Sequence, residues 1–66
     1  IPDEWIAHVL QHPARVEADN SDSELMHHLA TIPAFEFRVL RVIYKKGSIP
    51  PLVITAFFDR SMKGKL

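Results

Sequence analysis

The sequence predicts an α+β fold in which one N-terminal helix packs on a three- to four-stranded antiparallel sheet. Three observations lead to this prediction. Apolar residues recur at helical spacing in residues 2–12, residues 38–45 and 52–58 are dense in β-branched and aromatic side chains, and Pro, Gly, Ser and Asp separate these segments. A single helix laid on one face of an antiparallel sheet is the economical arrangement for so few elements.

The stretch "IPDEWIAHVLQHP" predicts a short helix. Pro2 suits the first helical position, and Pro13 ends the helix because it disfavours helical geometry at the residue before it. The acidic Asp3 and Glu4 lie where the positive end of the helix dipole favours them. The apolar stripe expected to be buried consists of Ile6, Val9 and Leu10, and the indole of Trp5 is expected to pack beside it.

The next two segments predict the first two strands with unequal clarity. "ARVEAD" alternates apolar and polar residues, as a half-buried strand does, and "NSDS" is a turn. "ELMHHLATI" fits a helix or a strand by spacing. A strand is favoured because only the short "IPAFE" link separates it from the following strand, and that length suits a hairpin.

The clearest strand is "FRVLRVIYK", after which "KKGSIPP" turns the chain. "LVITAFFDR" is the last strand, and pairing should begin after Pro51 because proline cannot donate a ladder hydrogen bond. Its near-continuous apolar run predicts a strand that is buried on both faces or central in the sheet. Asp59 and Arg60 should alternate faces at its end, so that at most one of them belongs to any one site.

The size of the chain predicts one small domain, residues 1–66. The chain has no cysteine, so a packed core or a partner subunit must stabilise it. It opens at Ile1 without an initiator methionine, which favours a domain truncated at its N-terminus. No apolar run has the length that a bilayer requires, so we expect a soluble, cytoplasmic protein that does not enter a membrane.

Charge is distributed unevenly between the two halves of the chain. Residues 1–36 hold seven acids and one base, and residues 37–66 hold seven bases and one acid. Such asymmetry predicts either ion pairing between the halves or a basic surface for an anionic partner such as RNA.

The order of three segments resembles a known family. "IPDEWIAHVLQHPARVEAD", "ELMHHLATIPAFEFRVLRVIY" and "PPLVITAFFDRSMKGKL" are similar to small, mostly bacterial domains of unknown function that are distantly related to RelE-like toxins of the barnase-like ribonuclease fold. That family begins with a further helix, which this chain lacks. The resemblance implies a toxin-type domain that binds RNA, and leaves open whether it cleaves RNA.

Candidate site residues follow from the chemistry of RNA binding and cleavage, which needs cations for phosphate and a group that titrates near neutral pH. The catalytic candidates are Arg41, Arg60 and His28, and the residues expected to bind RNA are Arg38, Arg41, Lys45, Lys46 and Arg60. The resemblance supports Arg41 and Arg60 alone. The alternative is that the arginines pair with Glu17, Glu36 and Asp59 across neighbouring strands.

Two further expectations concern metals and partners. His8 and His12 have a spacing that can bind zinc, but no third ligand is evident, so neither a metal nor another cofactor is predicted. The competing functional hypothesis is a non-enzymatic module that pairs with a protein partner or as a homodimer through an exposed strand edge. A third is a subunit whose acidic half neutralises a basic partner, as an antitoxin does.

Overall fold

A computed structural model, which describes residues 1–66, confirms the α+β class: one helix packs on a four-stranded antiparallel sheet. The elements are α1 (Asp3–Gln11), β1 (Arg15–Ala18), β2 (Leu25–Ile32), β3 (Arg38–Lys45) and β4 (Leu52–Phe58), with short 3-10 turns at Pro33–Phe35 and Arg60–Met62. The strands lie in the order β1, β2, β3, β4, so each pairs with its neighbour in sequence. No helix of the protein has the length and apolar character needed to cross a bilayer.

Helix α1 lies where the sequence predicts it. Pro2 precedes its first turn, and the backbone leaves helical geometry at His12, directly before Pro13. Val9 is fully buried, while Trp5 packs against the core and contacts Phe58 edge-on, with 6.1 Å between ring centroids. The helix therefore packs against the sheet through the predicted apolar stripe.

The ambiguous segment is a strand, β2, and it forms the predicted hairpin with β3. The link passes through a 3-10 turn and then through Glu36 and Phe37, which both have φ of 56°. Two successive left-handed residues reverse the chain within a few positions, although neither is glycine. Register within the hairpin is uninterrupted from Leu25 opposite Lys45 to Ile32 opposite Arg38.

The core lies between α1 and one face of the sheet. Its buried members come from the helix and from the two central strands: Val9, Ala30, Ile32, Leu40 and Val42. Burial of apolar surface stabilises a domain by about 25 cal/mol per Å², so these side chains and the aromatic groups around them are the main source of stability. The core is small, as the length of the chain predicts.

The other face of the sheet, called the open face below, carries polar rows and two fully buried apolar residues. The register places Leu29 between Arg15 and Arg41, whose aliphatic stems flank it. Val39 lies beside the second 3-10 turn, and its carbonyl accepts a 2.9 Å hydrogen bond from the Asp59 amide. Charged side chains and a turn therefore cover this face in place of a second helix.

The prediction that the last strand is central is wrong: β4 is an edge strand. Pairing does begin after Pro51, but Leu52, Ile54 and Phe57 remain about half exposed. An apolar run is typical of a strand covered on both faces, yet it does not reveal how many neighbours the strand has. Here the chain supplies no fifth strand to cover the apolar edge.

Candidate functional site

Arg41 is the centre of a polar network on the open face. It projects from the middle of β3, and its side chain is only 13% exposed. Its Nε donates to Asp59 Oδ2 at 2.9 Å, and its Nη1 donates to Glu17 Oε1 at 3.0 Å and to His27 Nδ1 at 2.8 Å. Its Nη2 lies 2.9 Å from the same Asp59 oxygen and completes the ion pair. Three of the five N–H donors of the guanidinium therefore have hydrogen-bond partners within the protein.

The network reaches both edges of the sheet. At one edge Glu17 also pairs with Arg15, at 2.9 Å, and His27 Nε2 lies 2.7 Å from Asp19 Oδ1. At the other edge, beyond β4, Ser61 donates to Asp59 Oδ1 through its hydroxyl at 2.6 Å and its amide at 3.0 Å. We call these residues the Arg41 network: Arg15, Glu17, Asp19, His27, Arg41, Asp59 and Ser61.

The contacts fix the tautomer of His27. A guanidinium can only donate, so Nδ1 must accept from Arg41, and Nε2 carries the proton that is donated to Asp19. Both ring nitrogens are therefore occupied. Since general-base catalysis requires an accessible lone pair, His27 has none to offer while Arg41 holds its place.

Two carboxylates of the network have lowered pKa values. The pKa of Asp59 lies below its ordinary 3.8 because the Ser61 hydroxyl, and then Arg41, donate hydrogen bonds to the charged form. The pKa of Asp19 is lowered chiefly by the hydrogen bond with His27, and also by the amides of Asp22 and Ser21. Both groups stay ionised at neutral pH, where they balance the charge of Arg41 and orient His27.

His28 faces the opposite side of the sheet from His27, as the strand assignment predicts. Its Nδ1 donates to the carbonyl of Leu10 at 3.2 Å, and its Nε2 accepts from the Tyr44 hydroxyl at 3.1 Å. The two rings contact edge-on, with 4.8 Å between centroids. His28 therefore joins the end of α1 to the sheet, and its two nitrogens are also occupied.

A cleft of about 260 Å³ lies at the end of β4. Three cationic side chains, one carboxylate and one aromatic ring line it: Arg38, Phe58, Asp59, Arg60 and Lys63. We call it the basic cleft. The charge of Asp59 is already matched by Arg41, so the remaining charge in the cleft is positive.

The three cations of the basic cleft differ in their partners. Arg38 lies over the ring of Phe35, with 4.9 Å from its guanidinium carbon to the centroid, and has one longer ion pair, 3.4 Å, with the exposed Glu36. Arg60 and Lys63 have no ion pair and no side-chain hydrogen bond. Arg60 begins the 3-10 turn of residues 60–62 and Lys63 directly follows it, so that the turn brings both residues to the lining of the cleft. Their donors face solvent.

The structure divides the predicted RNA-binding residues among three places. Arg38 and Arg60 line the basic cleft, whereas Arg41 lies on the open face, since residues three apart in a strand point to opposite faces. Lys45 and Lys46 lie at the far end of β3, about 23 Å from Arg38 at the usual rise per residue. The alternative of ion pairing across strands is what Arg41 shows, with Glu17 and Asp59, while Arg38 pairs with Glu36.

Sequence reasoning made one error in the site and missed one residue. Asp59 and Arg60 both line the basic cleft, because β4 ends at Phe58 and strand alternation no longer applies to them. Lys63 also lines the cleft, although it is not among the residues that the sequence predicts to bind RNA. The signal that points to it is its position three residues after Arg60 in a segment that forms a helical turn, where such residues are neighbours.

Metal ligation and known relatives add nothing further to the site. His8 and His12 contact each other, with 5.5 Å between ring centroids, but no three His, Asp or Glu side chains lie together in a group that could hold a metal ion. Comparisons with protein-family models, curated proteins and solved structures give no match to this chain.

Proposed function

We propose that this protein binds RNA through the basic cleft, as a RelE-like toxin-type domain would. The observation that carries the proposal is that Arg60 and Lys63 have no partner in the protein although they converge in one concave site. A folded domain gains little from holding two unpaired cations close together, because like charges repel. An anionic ligand removes that cost by supplying phosphate oxygens to their donors.

The composition of the cleft favours a nucleic-acid backbone over a small carboxylate. Arg38 adds a third cation whose pair with Glu36 is solvent-exposed and so contributes little, which leaves its guanidinium able to turn towards a phosphate. Phe58 supplies an apolar wall against which a ribose or a base can pack. An RNA strand, in which phosphates alternate with sugar and base rings, matches a cleft that offers both cations and an apolar wall.

The groups in the cleft support binding and do not include a base for cleavage. The lowered pKa of Asp59 keeps its carboxylate a weak base, and both oxygens already accept hydrogen bonds from Arg41 and Ser61. His27 and His28 are both satisfied elsewhere. Cleavage, which the resemblance to RelE-like toxins leaves open, is therefore a separate outcome of the test.

The proposal is tested by measuring the affinity for a short mixed-sequence RNA by fluorescence anisotropy between about 50 and about 200 mM salt. Arg60→Ala and Lys63→Ala should each weaken binding about tenfold at low salt, because a charged hydrogen bond contributes about 1.5 kcal/mol. Each should also reduce the slope of log affinity against log salt by about one. The same samples on a denaturing gel report strand scission.

Lys46→Ala is the matched control because it removes one exposed cation from the far end of the molecule. It should change the affinity by less than twofold, since only the diffuse field is altered. Equal losses of affinity in all three variants would mean that RNA binding depends on net charge alone, and would contradict binding at the basic cleft. Scission that Arg60→Ala abolishes would add an activity to the binding site.

A second candidate function, an interaction module without enzymatic activity, is favoured by the exposed apolar residues of the β4 edge. Exposed strand edges of this kind pair with other strands. The two functions use different surfaces, because the basic cleft lies beyond the end of β4 and the edge lies along it.

A further inference from the structure

We propose that two copies of this chain pair through the free edges of their β4 strands and form a continuous eight-stranded sheet. The two β4 strands run antiparallel and are related by a two-fold axis that passes beside Ala56. The proposal concerns the strand edge alone and is independent of RNA binding. It commits to a second copy because the side chains on either side of Ala56 form favourable cross-strand pairs when the segment lies antiparallel to an identical segment.

The hydrogen-bond pattern identifies the backbone groups that the edge offers. The Asp59 amide donates to the Val39 carbonyl, and the register continues from there through Arg41 opposite Phe57 and Ile43 opposite Thr55. Because residues of an antiparallel strand alternate in the neighbour that they face, the N–H and C=O of Ala56 and Phe58 point away from β3. No turn or loop hydrogen bond of the protein uses them.

The two edges of the sheet differ in protection. β1 has only four residues and carries the charged Arg15 and Glu17, features that discourage strand addition. Residues 47–58, which lead into and form β4, carry no charged side chain. Helix α1 packs against β2 and β3, so it does not cover the β4 edge.

The sequence of β4 permits antiparallel pairing with itself. An axis at Ala56 places the smallest side chain of the segment opposite its own copy, where a larger one would crowd. It also sets Thr55 of each copy opposite Phe57 of the other, in the closely spaced type of pair. A β-branched residue beside an aromatic ring is a favourable cross-strand pair, and both side chains are exposed in the monomer.

The extent of the pairing is limited at one end. Tyr44 pairs with Val53 and Ile43 with Thr55, so the bulge falls at Ile54, and Pro50 and Pro51 precede the strand. Bulges and prolines stop ladders. The ladder between copies therefore covers residues 54–58, with Ile54 of each copy opposite Phe58 of the other.

Two measurements test this pairing directly. Sedimentation equilibrium over a range of protein concentrations should show a species of twice 7.6 kDa at the higher concentrations. Hydrogen exchange at low and high concentration should show that the amides of Ala56 and Phe58 become protected on dimerisation. Those of Thr55 and Phe57, which face β3, should be protected at both concentrations.

Ile54→Lys and Val16→Lys form a matched pair of variants. Each adds one positive charge to a residue of an edge strand, and the two side chains are almost equally exposed, at 52% and 51%. Ile54→Lys should raise the dimer dissociation constant at least tenfold, whereas Val16→Lys should leave it within twofold. A monomer at every concentration would overturn the proposal, as would a dimer that tolerates Ile54→Lys and leaves Ala56 and Phe58 exchanging rapidly.

Discussion

Arg41 forms an ion pair with Asp59, and Arg60 follows Asp59 directly in the sequence. The two arginines differ in how many of their side-chain donors bind other groups of the protein. Arg41 is nearly buried and donates hydrogen bonds to three side chains, each from a different strand or turn. Arg60 and its neighbour Lys63 in the basic cleft donate no side-chain hydrogen bond within the protein. The positive charge of Arg41 therefore holds strands of the open face together, whereas the charges of Arg60 and Lys63 in the basic cleft have no role in such contacts.

The largest expected effect of that difference is on stability. Arg41→Met should lower the free energy of unfolding by about 3 kcal/mol, because it leaves the carboxylates of Asp59 and Glu17 partly buried without their cation. Arg60→Met, the same substitution at an unpaired site, should change it by less than about 0.5 kcal/mol. Urea denaturation measures both. Similar losses in the two variants would mean that the network does not hold the sheet together.

A second expected effect is on the stability in acid. Since the pKa of Asp59 and that of Asp19 are lowered in the folded state, both groups stabilise the protein above their unfolded value near 3.8. That stability is lost as the pH falls through the lower, folded pKa values. Asp59→Asn should therefore be less stable than the wild type at neutral pH and should lose less stability on acidification. Thermal unfolding from neutral pH to below about pH 3 gives the comparison.

An unchanged slope of stability against pH in Asp59→Asn would contradict the role of Asp59. Glu24→Gln is the control, because Glu24 is exposed and its carboxylate has no ion pair and no hydrogen bond. It should leave the acid profile nearly unchanged.

The smallest effect concerns the residue that joins the two regions. Ser61→Ala removes the 2.6 Å hydrogen bond to Asp59, which is the main cause of its lowered pKa, so that pKa should rise towards 3.8. The free energy of unfolding should fall by about 1 kcal/mol, the usual contribution of one hydrogen bond. Titration of the Asp59 carboxyl carbon by NMR measures the change. A pKa that stays as low in Ser61→Ala would assign the lowering to Arg41 alone.

The sequence predicts the parts of this structure that depend on local pattern. Helix α1 follows from its apolar spacing and its two flanking prolines, and the β2–β3 hairpin is favoured by a short link, although the spacing within β2 also fits a helix. The position of β4 at an edge does not follow, because an apolar run reports burial and not the number of neighbours.

The candidate site is less visible in the sequence. That Arg38 and Arg41 face opposite sides follows from strand alternation, but the partners of Arg41 depend on register, which places Glu17 two strands away. The basic cleft brings together a residue of β3 with residues beyond the end of β4. Contacts of that kind arise from tertiary packing, which single-sequence periodicity does not encode.

The most direct test of the division between the two arginines is an NMR titration with RNA that follows the arginine Nε–H signals. The Nε–H of Arg41, bonded to Asp59, should exchange slowly with solvent and should shift little as RNA is added. The Nε–H of Arg60, which has no partner in the protein, should exchange rapidly in the free protein, and on addition of RNA it should shift and become protected, together with the backbone amide of Lys63. Shifts concentrated at Arg41, or at Lys45 and Lys46 with none at Arg60, would contradict the account.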